Sequence, residues 1–246
     1  MPYALSVHRT EFCVHRHPHP SVKLSVTLAE TTLSGGSTLS LCRRDGHYFL
    51  RVAGLELMGT VAANSEMRLA ELACEKLGTG NNQRVLIGGL GFGFTLRRVL
   101  ELVRPNVSVQ VVELLPEVVA WNREYLQSVN GGLVDDPRVE VRIDDVLAVL
   151  ARATVRQYDA VLFDIDNGPA AIVAKANARL YAAPALTALS RALRVGGRAV
   201  FWSGSTDRAF LKRLTRAGFR ATAVGAKAYP HAKRDTHTLF VADWPG

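Results

Sequence analysis

From Arg84 to Ile165 the chain repeats one pattern: a short apolar run, a loop, then an amphipathic stretch. In order the segments read RVLIG, FTLRRVLELV, VSVQVVEL, PEVVAWNREYLQSV, VEVRI, DVLAVLARA and YDAVLFDI. Strands alternating with helices at this spacing require right-handed crossovers, and hence a parallel sheet covered on both faces. The unbroken runs Val85-Leu86-Ile87 and Ala160-Val161-Leu162-Phe163 suit strands buried on both sides. Beyond Asp166 a helical stretch is expected through Leu193, then a strand RAVFW after Gly196-Gly197, a helix from Arg208, and two strands near 219–224 and 237–242. The pattern predicts an α/β fold with a doubly wound, mostly parallel, seven-stranded sheet.

Residues 1–80 read differently. SVKLSVTLA, TLSLCRR, HYFLRVAG and LELMG are short extended candidates, with the Asp45-Gly46 hairpin signal between the second and third. SEMRLAELACEKLG, from Ser65 to Gly78, has helical periodicity and a glycine stop. The expected division is an N-terminal β-hairpin region with a linking helix over 1–80 and the doubly wound domain over 81–246.

With 246 residues, 48% of them hydrophobic, the chain can bury a core without disulfides or a structural metal. Cys13, Cys42 and Cys74 are too scattered for a disulfide framework or a metal site and read as reduced thiols. No apolar run approaches the ~20 residues that span a bilayer, and MPYALSVHRTEF meets His and Arg before a signal-type core forms. A cytoplasmic protein with no membrane partner is expected. The net charge of +8 is uneven: residues 101–150 hold 4 basic and 9 acidic side chains, residues 151–246 hold 15 basic and 6 acidic. A basic C-terminal third can attract an acidic substrate or a phosphate backbone. No nucleic-acid motif or aromatic interleaving accompanies it, so a solvated basic face is the favoured reading over nucleic acid.

The chemistry-bearing residues lie where the strands should end. Ile87-Gly88-Gly89-Leu90-Gly91-Phe92-Gly93 follows one strand and precedes a helix; Gly89, Gly91 and Gly93 let the backbone turn tightly and approach a ligand. Glu113 stands 20 residues after Gly93 at the end of the next strand, where an acid can accept hydrogen bonds from both ribose hydroxyls. Asp144 and Asp145 follow the third strand; one of them can meet an adenine amino group, and Asp145 can equally cap the helix that starts at Val146. Asp164 ends the fourth strand, beside the glycine loop at the point where the strand order reverses. Asp164, Asp166 and Asn167 can orient a nucleophile and take its proton, although Asp166 and Asn167 also suit an Asx-type turn before Gly168-Pro169.

Together these segments resemble the spermidine synthase family, polyamine aminopropyltransferases built on the class I S-adenosylmethionine-dependent methyltransferase fold. The similarity covers about residues 38–220: Gly54-Leu55-Glu56-Leu57-Met58, GGLGFGFTLRRV, VELLPEVV, the Asp144-Asp145 pair, YDAVLFDIDNGP and Leu180-Tyr181. The resemblance implies nucleoside binding by Gly89, Gly91, Gly93, Glu113, Leu114, Asp144 and Asp145, catalytic roles for Asp164 and Asp166, and acceptor contacts for Asn167 and Tyr181. It also implies a small-molecule acceptor, no metal, and a homodimer formed through the N-terminal region. The departures are specific. Phe92 stands where the family's loop carries an Asp expected near the donor's amine end, the family's DSSDP becomes DIDN, and the family's N-terminal acidic and Tyr-His-Glu clusters have no counterpart before Glu66. Because a polyamine pocket needs several carboxylates, the expected activity is alkyl transfer from S-adenosylmethionine or its decarboxylated form, with methyl transfer slightly favoured because Phe92 replaces the amine-recognising Asp. Polyamine aminopropyl transfer and a non-catalytic nucleoside-binding scaffold are the alternatives.

The spacing GxGxG argues against a dinucleotide enzyme, and Asp166-Asn167-Gly168-Pro169 is not the Asn-Pro-Pro-aromatic segment of base-modifying methyltransferases. Cys13, His15, His17 and His19 alternate as ligands would, but Pro18 and Pro20 interrupt the strand. Trp121 and Tyr125 share a helix face and read as packing. Trp202 reads either as core or as a border of the pocket.

Overall fold

The structure, a computed structural model, describes residues 25–165 and 178–246. Four antiparallel strands, β1 (Val26–Thr32), β2 (Thr38–Arg44), β3 (His47–Val52) and β4 (Leu55–Gly59), form a small sheet in sequence order. The β2–β3 turn places Asp45 and Gly46 at φ 53° and 80°, the twist a two-residue hairpin demands.

The larger sheet holds β5 (Arg84–Gly88), β6 (Ser108–Glu113), β7 (Val139–Ile143), β8 (Tyr158–Phe163), β9 (Leu193–Ser203), β10 (Arg220–Ala226) and β11 (His237–Asp243). Their order is β10-β11-β9-β8-β5-β6-β7, parallel except where β11 runs against its two neighbours. The order reverses between β5 and β8. The expected sheet is therefore present.

Helices α1 (Asn64–Cys74), α2 (Phe94–Leu102), α3 (Pro116–Glu124) and α4 (Gln127–Asn130) are followed by α5 (Val146–Arg152), α6 (Ala183–Ala192) and α7 (Arg208–Arg216). Side-chain alternation sorts each strand between two cores. Val85, Ile87, Ala160, Leu162, Val200 and Leu239 join the core under α1 to α3, while Leu86, Val161, Phe163, Ala199, Phe201 and Phe240 join the one under α5 to α7. This alternation decides the direction of every residue at the strand ends.

Three boundaries differ from expectation. α1 does not merely link the two regions: it packs on α2, β8 and β9, and the small sheet's Leu39, Leu41, Tyr48 and Leu50 share its core, so the division at residue 80 cuts through one packed layer. PEVVAWNREYLQSV breaks into α3 and α4 at Tyr125 and Leu126, whose amides both reach the Trp121 carbonyl. β9 begins at Leu193, ahead of the glycines and not after them. Gly197 lies inside it because a Cβ there would come within 3.0 Å of the Asp159 carbonyl oxygen. Cys42 and Cys74 are free, as expected, and among the described residues no helix is long and apolar enough to cross a membrane. Cys13 and the neighbouring histidines lie outside the described residues.

Candidate active site

The glycine loop crosses from β5 to α2 against the end of β8. Gly89 donates its N–H to the Val112 carbonyl (2.8 Å), and Asp164 donates its own to the Gly88 carbonyl (2.9 Å), so three strand ends are tied together. Gly89 has φ 92°, and a Cβ on it would lie 2.2 Å from the Asp164 carbonyl oxygen. No side chain fits there. Gly93 caps α2 at φ 81° with no side-chain partner for the first-turn amides, the arrangement that leaves N–H groups for a polar ligand.

Glu113 carries more than a ribose contact. Its carboxylate is buried, with Oε2 accepting from the Leu90 N–H (2.8 Å) and Oε1 from the Leu115 N–H (3.0 Å). Burial pushes its pKa up, and the loop amides pull against that rise. Glu113 thus braces the glycine loop from beneath. Leu114, next along, is 62% exposed, an apolar surface at the strand end on which a flat ring can rest. Asp145 caps α5 by accepting from the Leu147 N–H (2.8 Å) and lies 3.7 Å from Arg179. Asp144 pairs with Arg142 (3.1 Å) and with Arg152; burial opposes its ionisation, but the Asp145 amide and the two guanidiniums hold its pKa below the usual carboxylate value.

Asp164 follows Phe163, whose ring belongs to the α5–α7 core, so alternation turns Asp164 to the other face. There its Oδ2 accepts from the Thr95 hydroxyl at 2.7 Å, which orients it at the mouth of the glycine loop. Thr95 Oγ1 also lies 3.3 Å from the Glu66 carbonyl; its single hydrogen goes to the closer carboxylate. Glu66 is itself buried at the start of α1 and accepts from Ser65 Oγ (2.6 Å); burial pushes its pKa up.

Two expected site residues stand elsewhere. Phe92 is 1% exposed, its ring turned into the core 6.2 Å from Phe94, so it does not present an apolar face to a donor. Tyr181, expected at the acceptor, packs edge-on to Phe210 (4.7 Å) near Phe201, in the layer opposite Asp164. Asp166 and Asn167 lie outside the described residues. Trp121 is core, as its helical spacing suggests.

Sequence reasoning missed two supports of the loop. Asn122, fully buried on α3, donates to the Gly91 carbonyl (2.9 Å) and accepts from Asn130 Nδ2 (2.6 Å), a buried amide relay locking the loop to α3 and α4. An Asn on the apolar side of a helix is its only sequence signal, and that signal is read only once burial is known. Met58 of β4 covers Gly91, with Cε 3.0 Å from where a Cβ would stand.

A glycine loop, an acid after the second parallel strand and an acid at the switch point stand together at the carboxyl ends of the strands of a class I methyltransferase-like fold. Residues 63–212 match the spermine/spermidine synthase domain, and the chain belongs to that family. It is 35% identical over 147 residues to the polyamine aminopropyltransferase of Mycobacterium tuberculosis, a match covering 56% of this chain and 27% of that protein. It is 34% identical over 170 residues to polyamine aminopropyltransferase 2 of Pseudomonas aeruginosa, covering 65% and 44%. The matched stretch therefore spans less than half the length of these relatives. Among solved structures, spermidine synthase from Thermotoga maritima superposes with a TM-score of 0.70 at 19% identity, covering 89% of this chain and 73% of that one. A spermidine synthase in complex with the transition state analogue AdoDATO superposes with a TM-score of 0.69 at the same identity.

Proposed function

We propose that this protein transfers an aminopropyl group from decarboxylated S-adenosylmethionine to the amine of a small acceptor. The observation that carries the reading is Asp164, a carboxylate held by Thr95 at the mouth of the glycine loop in a chain of this family. In the reaction the amine lone pair attacks the carbon next to the sulfonium, the C–N bond forms as the C–S bond breaks, and methylthioadenosine leaves as a neutral thioether. The amine must shed a proton, and Asp164 is placed to accept it. The rest of the catalysis is alignment of nucleophile and carbon, which a rigid donor site supplies. Gly89, Gly91, Gly93, Glu113 and Leu114 form the nucleoside cradle in this reading, with Asp144 and Asp145 at its adenine end.

Two observations support aminopropyl over methyl transfer. The sequence-based preference for methyl transfer rested on Phe92 in place of the family's loop Asp, and the Phe92 ring lies in the core, where it sets no apolar surface against the donor's ammonium. The relatives, moreover, are polyamine aminopropyltransferases. The test is incubation of the protein with an amine mixture and either donor: methylthioadenosine should accumulate from the decarboxylated donor. Release of S-adenosylhomocysteine from S-adenosylmethionine alone would restore methyl transfer.

A further inference from the structure

Trp202 follows Phe201 in β9 as Asp164 follows Phe163 in β8, and Phe163 and Phe201 are partners in the parallel register. Alternation turns both following residues to the α1–α2 face, where Trp202 packs on the first core. Neighbouring strands lie about 4.8 Å apart. Asp164 and Trp202 are therefore neighbours at the carboxyl ends of β8 and β9, and His237 of β11 extends the row by packing tilted against Trp202, with ring centroids 4.8 Å apart.

The indole N–H of Trp202 is buried and has no hydrogen-bond partner, the one buried side-chain polar atom in that state among the described residues. An indole N–H only donates, and an ammonium also only donates. An acceptor whose second group is an ammonium leaves this donor unpaired, whereas an oxygen satisfies it. The segment joining β10 to β11 carries Lys227, Lys233 and Arg234 against Asp235, and Asn64 at the start of α1 fastens it by donating to the Lys227 carbonyl (3.0 Å). His237 also lines a concavity of about 280 Å³ walled by the hydroxyls of Ser205, Thr206, Thr236 and Thr238, by the Asp235 carboxylate and by residues 223–225 of β10.

We infer that Trp202 selects the acceptor, and that the acceptor is a small primary amine bearing a hydroxyl or carboxylate oxygen at its other end, in place of a diamine. The inference rests on the transferase reading above, with the nucleophilic amine at Asp164 and the oxygen on the Trp202 N–H. Discrimination of this kind arises because the wrong ligand leaves a buried donor unpaired.

The experiment is calorimetric titration of the full chain, saturated with methylthioadenosine, with 4-aminobutanol, 4-aminobutyrate and 1,4-diaminobutane. At least one of the oxygen-bearing amines should bind about tenfold or more tightly than the diamine. Which one binds separates hydroxyl from carboxylate recognition. Trp202→Phe, which keeps an aromatic ring and removes the N–H, should erase the preference while leaving methylthioadenosine affinity unchanged. Equal or tighter binding of the diamine, binding of none of the three, or a preference that survives in Trp202→Phe overturns the inference. The ranking in the unsubstituted protein decides even if the variant fails to fold. Failure of methylthioadenosine to bind defeats the transferase reading itself, whereas normal binding of it with a diamine preference defeats this inference alone.

Discussion

At the ends of β5, β6 and β7 each acidic side chain is engaged by the protein's own amides and arginines, whereas the row at the ends of β8, β9 and β11 includes a buried donor with nothing to bond. In the first region Glu113 holds the Leu90 and Leu115 amides, Asp145 holds the Leu147 amide, and Asp144 sits between two arginines. In the second, the Thr95 hydroxyl orients Asp164, the Trp202 N–H has no partner, and burial lowers the His237 pKa. A donor site can be rigid because it meets one nucleoside, and preassembly lowers the cost of binding it. An acceptor site gains selectivity by leaving hydrogen bonds for the correct ligand to complete. The contrast teaches where substitutions should alter binding, where they should alter stability and where they should alter turnover.

The sharpest way to separate the two regions is Asp164→Asn, which keeps the shape and the Thr95 contact but removes the proton acceptor. Turnover should fall by ~10²-fold or more with methylthioadenosine affinity intact. Steady-state kinetics beside calorimetry checks it, and a parallel loss of nucleoside affinity would move Asp164 into the donor half. Glu113→Ala should do the converse, weakening nucleoside binding by ~1.5 to 3 kcal/mol through lost charge-assisted hydrogen bonds. A carboxylate exposed at a strand end would cost the fold little, but this one is buried beneath the loop, so thermal unfolding should also shift down. An unchanged melting temperature would show that the Leu90 and Leu115 contacts do not brace the loop.

Asn122→Ala tests the brace from above. It strips the Gly91 carbonyl and the Asn130 amide of their buried partner and should cost ~1 to 3 kcal/mol of stability. Weaker nucleoside binding should accompany it, read by the same titration; full affinity in the folded variant would leave Asn122 outside loop positioning.

The smallest effect is a pH dependence at Glu66. Burial raises its pKa above the ordinary value of 4.5, the Ser65 hydrogen bond opposing the rise. As pH climbs from 4.5 toward the raised value the unfolded chain ionises first, the folded chain retains more protons, and stability falls. Glu66→Gln cannot titrate, so its stability relative to the parent should grow across that window, by on the order of 1 kcal/mol for each pH unit crossed. Melting curves of the two proteins between pH 4.5 and 8 measure the gap, and a gap that does not widen with pH refutes the assignment.

Much of the glycine-loop region was legible in the sequence because its requirements are local. Gly89 and Gly93 are needed by their own backbone angles, and Glu113 by the distance from a loop to the next strand end. What local reading could not show is that the Glu113 oxygens are occupied by the loop it supports, since that depends on how deeply the strand end is covered. Phe92 illustrates the same limit: alignment gives it a position in the loop, but only packing decides whether its ring faces a ligand or the core. Tyr181 shows a related limit, its aromatic partners Phe201 and Phe210 lying twenty or more residues away.

By itself the sequence determined the doubly wound sheet, the place of its switch point and the glycines that open it, because periodicity and backbone conformation are properties of contiguous residues. Only the tertiary structure decided that α1 joins the larger sheet's layer, that Asn122 locks the loop, and that Asp164, Trp202 and His237 form one row. Those three residues belong to strands that become neighbours through crossovers and an antiparallel return. Their faces are set by the register of Phe163 with Phe201 and of Thr238 with Ser203. Strand register is fixed by the burial of whole faces, so the row exists only once the core has formed.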